Sequence, residues 1–200
     1  MSDALRAAVI IVGAFLAGSI PFGLVVSRFF YRVDLRAQGS GNIGAANALR
    51  TLGKAPALVV LVLDALKGGI PVAVAAGCGA GGTWLAPAAG AAAILGHVFT
   101  PWLRWRGGKG VATHLGVLIA LAWPAAAAFG VAWVGFVVLT KYSSVGSLAG
   151  TIVSAFALGL TGELWPTAYG AFAVALIVFT HRANIRRLRA GTEHRLRRSA

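Results

Sequence analysis

Three stretches of this chain collect groups that can hold and process a phosphate-bearing molecule. The first, GSGNIGAANALR from Gly39 to Arg50, spaces Gly39, Gly41 and Gly44 as G-x-G-x-x-G and closes on an arginine. Backbone N–H groups in a glycine-rich turn can form an anion-binding nest, and a guanidinium beside it adds a charge-assisted contact. The second, RWRGGKGVAT, sets Gly107, Gly108 and Gly110 around Lys109 and runs at once into an apolar helical pattern. Close backbone approach, a point charge and the free N–H groups of a helix N-terminus outline a phosphate loop. Gly110 stands where a Walker A sequence needs a hydroxyl, which argues against ATP. The third, HRANIRRLRAGTEHR, carries His181, Asn184 and Arg187 at a three-residue spacing on one helical face, with Glu193 as the tail's only acid. An imidazole beside an amide and a guanidinium suits proton transfer near a bound anion. The plainer readings are a bare glycine turn, a basic membrane-surface loop and an arginine anchor for lipid.

The elements that must position these stretches are membrane helices. The 200 residues are 58% hydrophobic and 12% charged, with mean hydropathy +0.80, whereas a soluble domain is about one-quarter charged. A span needs about 20 apolar residues, and Ala7 to Val26, Ala55 to Ala76, Thr83 to Leu103, Val145 to Gly162 and Leu164 to Thr180 qualify. The first resembles a signal peptide in outline, but its apolar run continues, so a retained span is expected. Val111 to Thr140 has no Asp, Glu, Lys or Arg and is long for one span. Reading it as two puts the loop Ser27 to Lys54, the RWRGGKG loop, Lys141 and the basic tail on one face, leaving only Arg6 opposite. That asymmetry predicts a single domain over residues 1–200, an all-α bundle of seven transmembrane helices, N-terminus outside and C-terminus cytoplasmic.

This context removes the dinucleotide reading of GSGNIG, which needs a strand before it and a βαβ unit around it. The net charge of +13 is expected to report topology and anionic headgroups, with no nucleic-acid partner. Cys78 stands alone, which excludes an intramolecular disulfide, and with no Cys/His cluster or acidic cluster no metal is expected. Asp64 and Lys67 lie three residues apart inside an apolar span, a costly arrangement that predicts a buried pair or a functional site. Ser143, Ser144 and Ser147 fall at a helix start, where N-capping is expected and ligand contact is compatible with it. His97 and His114 are expected to be satisfied helix residues rather than metal ligands.

With these motifs in view, the chain resembles the bacterial acyl-phosphate:glycerol-3-phosphate acyltransferases of the PlsY type. The resemblance runs through GSIPFG, GSGNIGAANALR, DALKGG, GHVFTPWLRWRGGKGVAT, YSSVGS and HRANIRRLRAGTE, in family order. It implies transfer of a fatty acyl group from acyl phosphate to the 1-hydroxyl of glycerol 3-phosphate, without a cofactor, at the cytoplasmic face of the bacterial inner membrane and among bilayer lipids. It implies catalytic roles for Ser40, Arg50, Lys109, His181 and Asn184. It implies substrate contacts at Gly39, Gly41, Asn42, Asn47, Lys67, Gly107, Gly108, Gly110, Ser143, Arg187 and Glu193. Two positions depart from the family: Ala46 replaces a usual threonine, and Thr100 replaces the proline that usually follows GHVF. Acyltransferases that use acyl thioesters carry His-x-x-x-x-Asp, and no histidine here has aspartate at that spacing. A transporter or channel for a phosphorylated anion could use the same basic loops as a gate.

Overall fold

The computed structural model describes residues 2–79 and 82–196; Arg197 and Arg198, at the end of the basic tail, lie outside them. Ten α-helices and no strand occur among the described residues: α1 (Asp3–Ser19), α2 (Phe22–Tyr31), α3 (Ala45–Thr51), α4 (Lys54–Gly77), α5 (Leu85–Val98), α6 (Val111–Leu121), α7 (Trp123–Thr140), α8 (Ser143–Gly159), α9 (Leu164–Thr180) and α10 (Arg182–Arg189). Four helical segments are long and apolar enough to cross a membrane, five if α9 and α10, bent by 58° at His181, count as one. α6 and α8 are apolar but shorter.

Local sequence explains two of the breaks. Pro21 pushes Ile20 into an extended conformation (φ −63°, ψ 120°), so the expected first span divides into α1 and α2. The long uncharged segment divides at Ala122 (φ −159°), just before Trp123 and Pro124 open α7. The break at Ile20 accounts for the buried lysine: Lys67 Nζ donates to the Ile20 carbonyl at 2.7 Å and pairs with Asp64 at 2.8 Å. The Ile20 carbonyl, outside the α1 ladder, accepts from Phe22 N–H at 3.0 Å and gains Lys67 as a second, charged donor.

α5 sits in the middle, against α1, α4, α6 and α9, while α7, α8 and α9 form a second packed row joined to it through α6 and α9. Small residues set the helix spacing. A Cβ at Gly116 of α6 would strike the Ala65 carbonyl of α4, and one at Gly96 of α5 would strike Phe15 of α1, the close packing that bundles in lipid favour. On the outer face of α4, Leu58, Val62, Leu66, Ile70 and Val74 recur every fourth residue at 46–60% exposure. Such a stripe is suited to lipid and not to water. His114 inside the bundle is paired instead: its ring lies 2.8 Å from the Tyr169 hydroxyl and 3.2 Å from Ser154 Oγ, as a satisfied histidine should.

Candidate functional site

The loop before α3 is built by its own side chains. Asp34 accepts from Arg28 at 2.6 Å and from Arg36 at 2.8 Å, and these arginines, Arg36 foremost, hold its carboxyl well below the usual range despite some burial. Asn47, buried in α3, donates to the carbonyls of Leu35, Gln38 and Asn42 at 3.0, 3.0 and 2.8 Å and accepts the Ser40 N–H at 2.9 Å. Its amide is therefore the staple of the turn, in which Gly39 (φ 56°) and Gly41 (φ 71°) take left-handed conformations. Asn42 accepts from Gly44 N–H at 2.9 Å. The Ser40 hydroxyl remains free of any hydrogen bond among the described residues. Arg50, at the other end of α3, donates to Ser143 Oγ at 3.3 Å and to the His194 carbonyl at 3.4 Å, while its Nε is buried with no partner among the described residues.

The glycine loop is fixed differently from its sequence reading. Gly107 and Gly108 N–H groups donate backwards, to the Val98 and His97 carbonyls at 2.9 and 3.1 Å, and so complete the last turn of α5. These two glycines do not line the cavity described below; the close approach they permit is to α5. Lys109 and Gly110 (φ 85°) do line it, together with Val111 and Ala112 at the N-terminus of α6. Burial above all lowers the Lys109 ammonium, with Arg187 and Arg50 adding to the effect and Glu193 opposing it, to about 8.

The serine cluster also departs from expectation. Tyr142, not a serine, occupies the N-cap of α8 and makes no side-chain cap; the serines lie inside the helix, where Ser143 accepts from Arg50, Ser144 donates to Glu193 at 2.9 Å, and Ser147 donates to the Ser143 carbonyl at 2.8 Å. The first N–H groups of α8 are thereby left without a side-chain cap, beside Ser143 and Ser144 in the cavity wall. Glu193 ties the tail to this end, accepting from Asn184 at 2.5 Å and from Arg187 Nε at 2.8 Å. Burial raises its carboxyl, but the bonds from Asn184, Arg187 and Ser144 outweigh that and hold it below the usual value. Asn184 Oδ1 is buried and has no partner among the described residues. His181 Nδ1 donates to the Ile177 carbonyl at 2.8 Å, which leaves Nε2 as the acceptor nitrogen.

These pieces enclose one cavity at a single end of the bundle. Ser40, Asn42, Asn47, Arg50, Lys109, Gly110, Ser143, His181, Asn184 and Glu193 line its polar part; Leu61, Leu115, Phe129, Gly130, Trp133 and Val134 line an apolar part. Of the residues singled out from sequence, Gly39, Gly41, Lys67, Gly107, Gly108 and Arg187 fall outside the wall: Lys67 pins Ile20, and Arg187 reaches the site only through Glu193. Ala46, where the family usually has threonine, is in the wall. Thr100, in place of proline, donates to the Ser19 carbonyl at 2.6 Å. Sequence reading missed Asp64 and His97 as wall residues. His97 Nδ1 is buried without a hydrogen-bond partner, 3.8 Å from Asp64 Oδ1, so it is not the satisfied histidine expected. Among the described residues no three His, Cys, Asp or Glu side chains gather in a metal-binding group.

An apolar-faced helical bundle with a cavity walled by Arg50 and Lys109 marks a multi-pass membrane protein. The family model described as glycerol-3-phosphate acyltransferase matches residues 8–191. Proteins named glycerol-3-phosphate acyltransferase match at 47% identity in Rhodopseudomonas palustris (93% of this chain, 94% of that one) and at 46% in Brucella canis (93% and 91%). The glycerol 3-phosphate form of PlsY, described as an integral membrane glycerol 3-phosphate acyltransferase, superposes with TM-score 0.91 at 38% identity, over 96% of each chain. Its lysophosphatidic acid form gives 0.89 at 37%, again over 96% of each. The chain belongs to the glycerol-3-phosphate acyltransferase family, of the PlsY type.

Proposed function

We propose that this chain is a single-domain acyltransferase that moves a fatty acyl group from acyl phosphate to the 1-hydroxyl of glycerol 3-phosphate, releasing lysophosphatidic acid and inorganic phosphate. The observation that carries the reading is the division of one cavity into a cationic part and an apolar part. Arg50, Lys109 and the open N-termini of α6 and α8 suit phosphate groups; the wall from Leu61 to Val134 suits an acyl chain. Acyl phosphate is a mixed anhydride with a good leaving group, so no covalent enzyme intermediate and no metal are needed. The glycerol hydroxyl oxygen bonds to the acyl carbonyl carbon as the bond from that carbon to the phosphate oxygen breaks. Its proton goes either to His181 Nε2 or to a phosphate oxygen. Ser40 and Arg50 supply donors where charge develops on the leaving phosphate, and preorganised donors of this kind are worth about 10²- to 10³-fold each. Asn184 Oδ1, free to accept, suits the attacking hydroxyl.

The basic loops all lie at the cavity end, and the positive-inside rule then favours a cytoplasmic site in the bacterial inner membrane, with seven spans and the N-terminus outside. The test is donor choice. Purified protein in lipid vesicles, with chelator and no divalent metal, is expected to make lysophosphatidic acid and phosphate from palmitoyl phosphate and glycerol 3-phosphate. Equal or faster use of acyl-CoA or acyl-carrier protein overturns the donor, and glycerol 3-phosphate flux into sealed vesicles without product favours the transporter.

A further inference from the structure

The loop that carries Lys109 is held by groups the proposed reaction does not use. Its two backward hydrogen bonds tie Gly107 and Gly108 to the end of α5. The His97 ring then fills the space beside Gly108: a Cβ on Gly108 would collide with His97 Nε2, Cε1 and Cδ2. A Cβ on Gly107 would collide with the His97 carbonyl. His97 is 4% exposed, so its ring has little room to yield. Behind it stands Asp64, with Oδ1 3.8 Å from Nδ1 and its own carboxylate held by Lys67 at 2.8 Å. From the other side, the Thr180 hydroxyl donates to the Lys109 carbonyl at 3.1 Å. Lys109 is thus gripped between α5 and the end of α9.

We infer that His97 is a positioning residue for the acceptor site: its buried imidazole is a fixed wedge that acts through the Gly108 backbone to set where the Lys109 ammonium stands in the cavity. The inference rests on the reading that Lys109 holds the phosphate of glycerol 3-phosphate. It gives a reason for glycine at 107 and 108, although neither residue lines the cavity and both N–H groups are taken by α5. Any side chain at 108 would drive the loop off the ring and carry Lys109 with it.

The test is a double-mutant cycle read in the KM for glycerol 3-phosphate, with thermal unfolding followed alongside. Gly108→Ala is expected to raise that KM about tenfold, on the scale of a displaced positioning group, and to leave the KM for acyl phosphate within about twofold. In a His97→Ala background, which removes the obstructing ring, Gly108→Ala is expected to raise it by less than about threefold, as contacting residues couple non-additively. Should His97→Ala not fold, His97→Asn opens the same space while keeping a polar group. Equal effects of Gly108→Ala in both backgrounds overturn the wedge. Lys109→Met distinguishes that failure from failure of the underlying reading: an unchanged KM in Lys109→Met overturns phosphate binding by Lys109, whereas a raised KM with independent Gly108 and His97 effects overturns only the wedge.

Discussion

The Lys109 ammonium has a charge set by its surroundings, and pH reads it directly. Burial lowers it most, Glu193 partly restores it, and the charges of Arg187 and Arg50 lower it again, to about 8. A lowered lysine loses its proton earlier than an exposed one, so charge disappears as pH rises through that value. The ordinary titration relation leaves about nine-tenths of the molecules cationic at about pH 7 and about one-tenth at about pH 9. If only the cation binds the acceptor phosphate in the ground state, KM for glycerol 3-phosphate rises about tenfold between those limits. Lys109→Arg keeps its charge throughout and is expected to flatten the profile, and Lys109→Met to flatten it at a raised KM. The assay is initial rate against glycerol 3-phosphate in lipid vesicles at saturating acyl phosphate. A wild-type KM that stays level across this range, or an arginine variant that repeats the wild-type rise, refutes the reasoning.

Ser40→Ala and Arg50→Ala are each expected to lower kcat by about 10²-fold, the scale of one preorganised donor, with single-turnover rates as the measure; losses confined to KM would remove them from the leaving-group site. His181→Ala is expected to lower kcat by about 10² to 10⁴ and to abolish its acid limb if Nε2 takes the proton, whereas a loss of a few fold leaves a substrate phosphate as the base. Cys78, partly exposed near the end of α4, is expected to react with a membrane-impermeant thiol reagent in intact spheroplasts. Ser199→Cys in a Cys78→Ala background, at a position beyond the described residues, is expected to react only after permeabilisation. The reverse pattern would put the basic loops outside.

The helical class and the lipid-facing surface were legible because they depend on composition summed over long windows. Pro21 and the Trp123–Pro124 pair even marked where the chain breaks, although the first break was not read from sequence. Within the site, the legible part was charge and titratable type: Arg50, Lys109 and His181 do meet at one cavity. Less legible was what each polar group would be used for. Asn47 has the amide of a ligand contact, yet the turn occupies all of it. The glycines at 107 and 108 have the look of a phosphate cradle, yet α5 takes their N–H groups. His97 and Asp64 lie on different helices, and nothing in a local pattern fixes the rotation that brings them to one wall. A motif records which groups are near in sequence; the competition for their hydrogen bonds is settled by neighbours far along the chain.

That competition also shapes the charge left for substrates. Glu193 bonds directly to Arg187, Asn184 and Ser144, and supports the charges of Lys109 and Arg50 only across a longer distance. Arg50 and Lys109 remain as the cations of the wall, and their repulsion is part of what lowers Lys109. On the proposed reading, a phosphate between them would screen that repulsion and favour the ammonium, so phosphate binding and Lys109 protonation would be linked and each would strengthen the other. With Lys109 lowered to about 8, that linkage is small at about pH 7, where about nine-tenths of the molecules are already cationic, and grows as pH rises through that value. A cavity with exposed, permanently charged cations would show no such dependence on pH, because none of its charges would titrate in that range.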